Sequence, residues 1–149
     1  MIYLGGSCSS EQRTLMRTIA QALREEGYEV YCPFELKIMN AWDYTQEDWA
    51  RLVFERDIMA LNEASTFLMI TPGRLSTAGT NWEQGYIYGR GTAKIITVQY
   101  TDNDTSLMTF CGSDLFVNTT KENIVRDILR ALLVEDPDGS KNKCMTTLT

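Results

Sequence analysis

Histidine is absent from the 149 residues. That excludes Ser-His-Asp and Cys-His catalysis, and any metal site built on imidazole. Acid–base chemistry here must fall to carboxylates, tyrosine, lysine or cysteine. Cysteine is sparse: Cys8, Cys32, Cys111 and Cys144 include no Cys-x-x-Cys spacing, so a zinc or dithiol redox motif is unsupported. No apolar run approaches the roughly 20 residues that span a bilayer, and no basic stretch precedes the first apolar segment. A cytoplasmic protein with reduced thiols is the expectation. Basic runs are missing as well: 14 Lys and Arg face 20 Asp and Glu, for a net charge of -6. Nucleic acid and membrane surfaces are therefore not expected as partners, and neither a metal nor another cofactor is expected.

What is present suits one globular domain. Apolar residues make up 44% of the chain, and the length suffices to bury a core without cross-links. Ile2-Tyr3-Leu4 reads as a buried strand entering the turn Gly5-Gly6-Ser7. Leu15, Ile19 and Leu23 recur every four residues, so residues 11–26 form an amphipathic helix capped by Ser9 or Ser10 and ended by Gly27. Residues 28–31 form a second strand, and a helix over 46–62 carries the stripe Ala50, Val53, Phe54, Ile58 and Leu61. Residues 66–71 and 94–99 are continuous apolar strands, the mark of burial on both faces. A third helix is expected from about Asn81 to Gly91, a weak strand at 115–117 and a last helix over 121–134. Residues 135–149 are Asp, Gly, Ser, Lys and Thr in the main and read as a flexible C-terminal tail. Strands alternating with helices imply an α/β domain over 1–134, a doubly wound parallel sheet of five strands with helices on both faces. Its ligand site belongs at the carboxyl ends of the strands.

Three features there carry chemistry. Asp57 interrupts the apolar stripe of the second helix. Either it pairs with Arg51, Arg56 or Arg74 at an exposed edge, or it serves a site, because an unpaired buried charge is costly. Glu83 is expected in the first turn of the third helix, where the helix dipole favours a carboxylate. Gly85 and Gly89 beside it suggest close approach of another backbone, since glycine in a helix costs about 1 kcal/mol. The loop Gly5-Gly6-Ser7-Cys8-Ser9-Ser10 offers backbone N–H groups and hydroxyls at a helix start. It reads equally as an anion nest or as a tight capped turn.

Ile2-Tyr3-Leu4-Gly5-Gly6-Ser7, Arg56-Asp57-Ile58-Met59-Ala60-Leu61 and Gly79-Thr80-Asn81-Trp82-Glu83-Gln84-Gly85-Tyr86 together resemble the nucleoside 2-deoxyribosyltransferase family, over residues 1–118. The resemblance implies a flavodoxin-like fold and a substrate that is a nucleoside or nucleotide. It implies Glu83 as the nucleophile on the anomeric carbon, Asp57 as the carboxylate that manages the proton of the leaving base, and Tyr3 as the tyrosine that orients the glutamate. Such chemistry passes through an oxocarbenium-like state that one carboxylate can trap. Thr77 stands where the transferases carry Asp. The related nucleoside 5′-monophosphate N-glycosidases carry a small hydroxyl residue there and a Gly-Ser turn like Gly6-Ser7.

Gly5, Gly6, Ser7, Ser9, Thr77 and Gly79 are the expected substrate-binding positions. Ser113 joins them, because the stretch 107–114 resembles the family segment that reaches a neighbouring subunit's site. A homodimer or larger homo-oligomer is implied. Phe110, Leu115 and Phe116, on a piece that looks too short to bury them, point the same way. The expected activity is 2-deoxyribosyl transfer between bases. The alternatives are hydrolysis of a nucleoside 5′-monophosphate and a non-catalytic nucleotide-binding module.

Overall fold

The computed structural model describes residues 1–74, 78–134 and 147–148. Thr77 and Cys144 lie outside the described residues, as does most of the tail. The strands are β1 (Ile2–Gly5), β2 (Val30–Tyr31), β3 (Thr66–Thr71), β4 (Lys94–Gln99), β5 (Leu115–Asn118) and β6 (Thr147–Leu148). The helices are α1 (Ser10–Glu25), α2 (Gln46–Glu63), α3 (Ala78–Arg90), α4 (Leu107–Cys111) and α5 (Ile124–Leu132). The sheet order is β2-β1-β3-β4-β5-β6, with every pair parallel. The first five strands give the doubly wound flavodoxin-like arrangement that the sequence implies. To these β6 adds two residues at the β5 edge.

Alternation along the strands sorts the core into two layers. On one face Ile2, Leu4, Leu68 and Ile70 pack with Met16, Ile19 and Leu23 of α1 and with Ile124 and Ile128 of α5. On the other Tyr3, Phe67, Met69 and Ile95 pack with Ala60 and Leu61 of α2 and Ile87 of α3. Gly27, at φ +91°, closes α1 in the left-handed conformation that glycine adopts without strain.

Three expectations are corrected by packing. First, only the C-terminal turns of α2 cover the sheet: Ala60 and Leu61 are buried, Val53 is half-buried, Ala50 is exposed and Phe54 is 54% exposed. The apolar stripe runs on past the part of the helix that the sheet supports. Second, α3 starts at Ala78, so Gly79 and Thr80 are helical and Glu83 lies in the second turn rather than the first. Third, a Cβ on Gly79, Gly85 or Gly89 would meet nothing within 4 Å. Close backbone approach therefore does not explain these glycines among the described residues.

Gly5 does have a steric reason. A Cβ there would sit 2.8 Å from Cζ of Phe67, whose ring is fully buried and stacked on Tyr3. Gly5→Ala is expected to cost about 1–3 kcal/mol by forcing that ring to shift. A thermal unfolding midpoint equal to the wild type would show that the ring yields freely.

Candidate active site

Tyr3, Tyr31 and Phe67 share one row across β2, β1 and β3: Tyr3 pairs with Tyr31 on one side and with Phe67 on the other. Their rings stack, with centroids 5.3 Å apart for Tyr3 and Tyr31 and 5.6 Å for Tyr3 and Phe67. This row fills the layer between the sheet and α2 and α3, and its two phenols meet the two carboxyl groups singled out above. Tyr3 Oη donates a hydrogen bond to Glu83 Oε2. Tyr31 Oη donates to Asp57 Oδ1 at 2.8 Å.

The environment sets the protonation of each group. Burial holds the Tyr3 phenol far above its usual range, with the Glu83 charge and hydrogen bond adding to the effect. It therefore stays a donor. Burial pushes Glu83 up to about 7, against the pull of the Tyr3 hydrogen bond and with help from the Asp57 charge. Asp57 is also raised, by burial, while the Tyr31 hydrogen bond works the other way. Two carboxyl groups with elevated values beside one cavity form a pattern expected of an acid–base site.

That cavity, of about 320 Å³, is lined by Asp57, Glu83, Gly79, Phe54 and Trp82 among others. Trp82 meets Phe54 edge-on at 5.6 Å and stacks on Tyr86 at 5.5 Å. Its walls thus combine two carboxyl groups with aromatic surface, which suits a planar heterocycle joined to a polar ring. Cys8 lies close enough to feel both Glu83 and Asp57, and burial raises its thiol. Among the described residues no group of three or more Cys, Asp or Glu is arranged to hold a metal, and no helix is long and apolar enough to cross a membrane.

The structure brings Glu83, Asp57, Tyr3 and Gly79 together. Gly5 and Gly6 follow Tyr3 in the chain, and Ser7 Oγ accepts the Ser9 backbone N–H at 3.1 Å in the same turn. Ser9 caps α1 without a side-chain bond to it. Asp57 bonds to a phenol and not to the arginines considered for it. Arg51 pairs instead with Glu47 at 3.4 Å and Arg74 with Asp104 at 3.6 Å.

Ser113 belongs elsewhere. It is 6% exposed, and its hydroxyl lies 2.6 Å from Thr97 Oγ1 and donates to the Thr109 carbonyl at 2.7 Å. Gln84 Nε2 donates to that same carbonyl at 2.9 Å and to Ser113 Oγ at 3.2 Å. Ser113 thus helps lock α3 to β4 and α4, with its hydroxyl engaged inside the fold. Leu115 and Phe116 are likewise buried within the chain, while Leu107 and Met108 are 73% and 77% exposed. The apolar argument for an interface rests on the latter two residues, of which Met108 also lines a separate cavity of about 470 Å³ between α3 and α4.

Residues 2–120 match the nucleoside 2-deoxyribosyltransferase family. This chain belongs to that family. The match spans every element from β1 to β5 and includes both carboxyl groups and both tyrosines. Among solved structures, the fold is shared with a 2-deoxyribosyltransferase from the psychrotolerant bacterium Bacillus psychrosaccharolyticus. The TM-score is 0.70 at 23% identity, covering 83% of this chain and 89% of that one. It is also similar to a conserved protein from Enterococcus faecalis V583, with a TM-score of 0.58 at 18% identity, covering 87% of this chain and 97% of that one. No curated protein matches the sequence. Sequence reasoning missed Tyr31 and Phe54 as site neighbours: the β1–β2 register sets Tyr31 beside Tyr3, where its phenol reaches Asp57, and Phe54 lines the cavity instead of packing on the sheet.

Proposed function

We propose that this chain cleaves the N-glycosidic bond of a 2-deoxynucleoside and passes the sugar to an acceptor base. The observation that carries this reading is the pair of tyrosine-held carboxyl groups at one cavity. The Glu83 carboxylate attacks the anomeric carbon. The C–N bond breaks and its electron pair goes to the leaving base, which takes a proton from the Asp57 carboxyl. Tyr3 holds Glu83 on line for attack. The acceptor base then attacks the anomeric carbon from the vacated side, giving its proton to Asp57, and Glu83 leaves as a carboxylate. Net retention follows from two displacements. Trp82 and Phe54 supply apolar contact to the base.

Hydrolysis of a nucleoside 5′-monophosphate is the second reading. It is favoured by the first-turn N–H groups of α1 without a side-chain cap, next to Ser7, and by Thr77 in place of a carboxylate. Amides and hydroxyls suit a phosphate, and a carboxylate repels one. In either case a homo-oligomer in the cytoplasm is the proposed setting, with the α4 surface between copies.

Incubation with deoxynucleosides and their 5′-monophosphates, with and without a free acceptor base, separates the two by chromatography. Base exchange that requires the acceptor supports transfer. Release of free base from the monophosphate alone supports hydrolysis. No cleavage of any member of the panel would leave the non-catalytic module as the reading.

A further inference from the structure

Asp57 sits where α2 leaves the sheet, so helix packing holds it on one side only. Its neighbours come from four elements: Glu83 on α3, Tyr3 on β1, Tyr31 on β2, and Cys8 in the turn after β1. Arg56, on its own helix, is exposed and acts electrostatically on the Tyr31 phenol. The Tyr31 phenol is the hydrogen-bond donor that the Asp57 carboxyl has from the sheet. Its ring is fixed in turn by the stack on Tyr3, 5.3 Å away.

We propose that Tyr31 is a positioning residue for the reaction. Through the stacked row it holds Asp57 of α2 at a fixed offset from Glu83 of α3, so that the proton donor and the nucleophile face one substrate, each bonded to a tyrosine on one of two adjacent strands. The proposal rests on the catalytic reading given above for Asp57. It goes beyond that reading by assigning the geometry of the acid to a residue on the neighbouring strand. Adjacent strands lie about 4.8 Å apart, and the ring separation follows that spacing. The same row therefore fixes the placement of both carboxyl groups. Tyr3 alone, bonded to Glu83, leaves the Asp57 side chain free to turn.

Tyr31→Phe keeps the ring and its stack and removes only the hydroxyl, so the fold is retained. The expected result is a kcat lower by about ten- to a hundred-fold with KM nearly unchanged, because the loss is of alignment and not of substrate contact. In an Asp57→Asn background the same change should have little further effect on kcat, since the group it positions no longer transfers a proton. A second measurement needs no turnover. Carbon NMR titration of the Asp57 carboxyl should show it moved to higher pH in Tyr31→Phe, because a donor to the charged form has been lost. Equal losses of kcat in both backgrounds, or an unchanged Asp57 titration, would overturn the proposal. If the wild type cleaves no nucleoside, the titration still decides whether Tyr31 governs Asp57, so failure of the catalytic reading is told apart from failure of this one.

Discussion

Glu83→Gln is expected to abolish turnover while making the protein more stable at neutral and alkaline pH. The amide can still accept the Tyr3 hydrogen bond, so the local geometry survives. It is a far poorer nucleophile than a carboxylate, and loss of the proposed nucleophile should lower kcat by about three or more orders of magnitude. The stability effect follows from linkage. Burial places the folded-state value of Glu83 at about 7, above the roughly 4.3 of an unfolded chain. Between these values the folded state binds the extra proton, so stability falls as pH rises through the window, and the full cost is present above pH 7. Removing the charge should therefore restore about 1–3 kcal/mol at pH 8 and little at pH 4. Urea unfolding of both proteins at the two pH values reads this directly. A variant that keeps near-native turnover would remove Glu83 from the mechanism, and a gain that does not grow with pH would deny that its charge is costly.

Asp57→Asn carries the second large effect. General acid–base assistance contributes about 10²–10⁴-fold, and the amide cannot donate a transferable proton, so a loss in that range is expected. Stability should hold or rise, for the same sign reason as at Glu83: burial raises the Asp57 carboxyl in the folded state, and the amide still accepts from Tyr31 Oη. Activity assays paired with thermal unfolding test both halves. A marked drop in unfolding temperature with activity retained would assign Asp57 to structure.

Much of the fold was legible because burial on both faces leaves an unambiguous pattern. Thr66–Thr71 and Lys94–Gln99 have the same bounds in the structure as in the sequence reading, for their apolar runs admit no other register. The start of α3 was not legible, since Gly79 and Thr80 look like loop residues and helix there needs only open space around Gly79. Nor was the exposure of Phe54. Helical periodicity marks which side of a helix is apolar and is silent on how far the sheet beneath it extends. Glu83, Asp57 and Tyr3 stood out through the motif resemblance, with spacing alone leaving each open to a structural role. Ser113 looked like a residue free to meet a ligand, because a local sequence cannot show that Gln84 and Thr97 reach its hydroxyl from other elements. Tyr31 is not legible for the same reason: its place beside Asp57 depends on pairing with Tyr3, a contact between distant parts of the chain.

The shortness of β2 has a thermal consequence. Tyr3 lies in an inner strand paired on both sides, whereas Tyr31 belongs to an edge strand with two paired residues, Val30 and Tyr31. Edge segments with few backbone bonds open locally at lower free energy than the interior of a sheet. The two halves of the site therefore differ in local stability. On warming, fraying of the edge releases Tyr31 from its row and leaves Asp57 without its phenol, while Tyr3 and Glu83 remain paired in the intact centre. In the reaction proposed above, proton management at the leaving base is therefore expected to be the thermolabile part, lost before global unfolding.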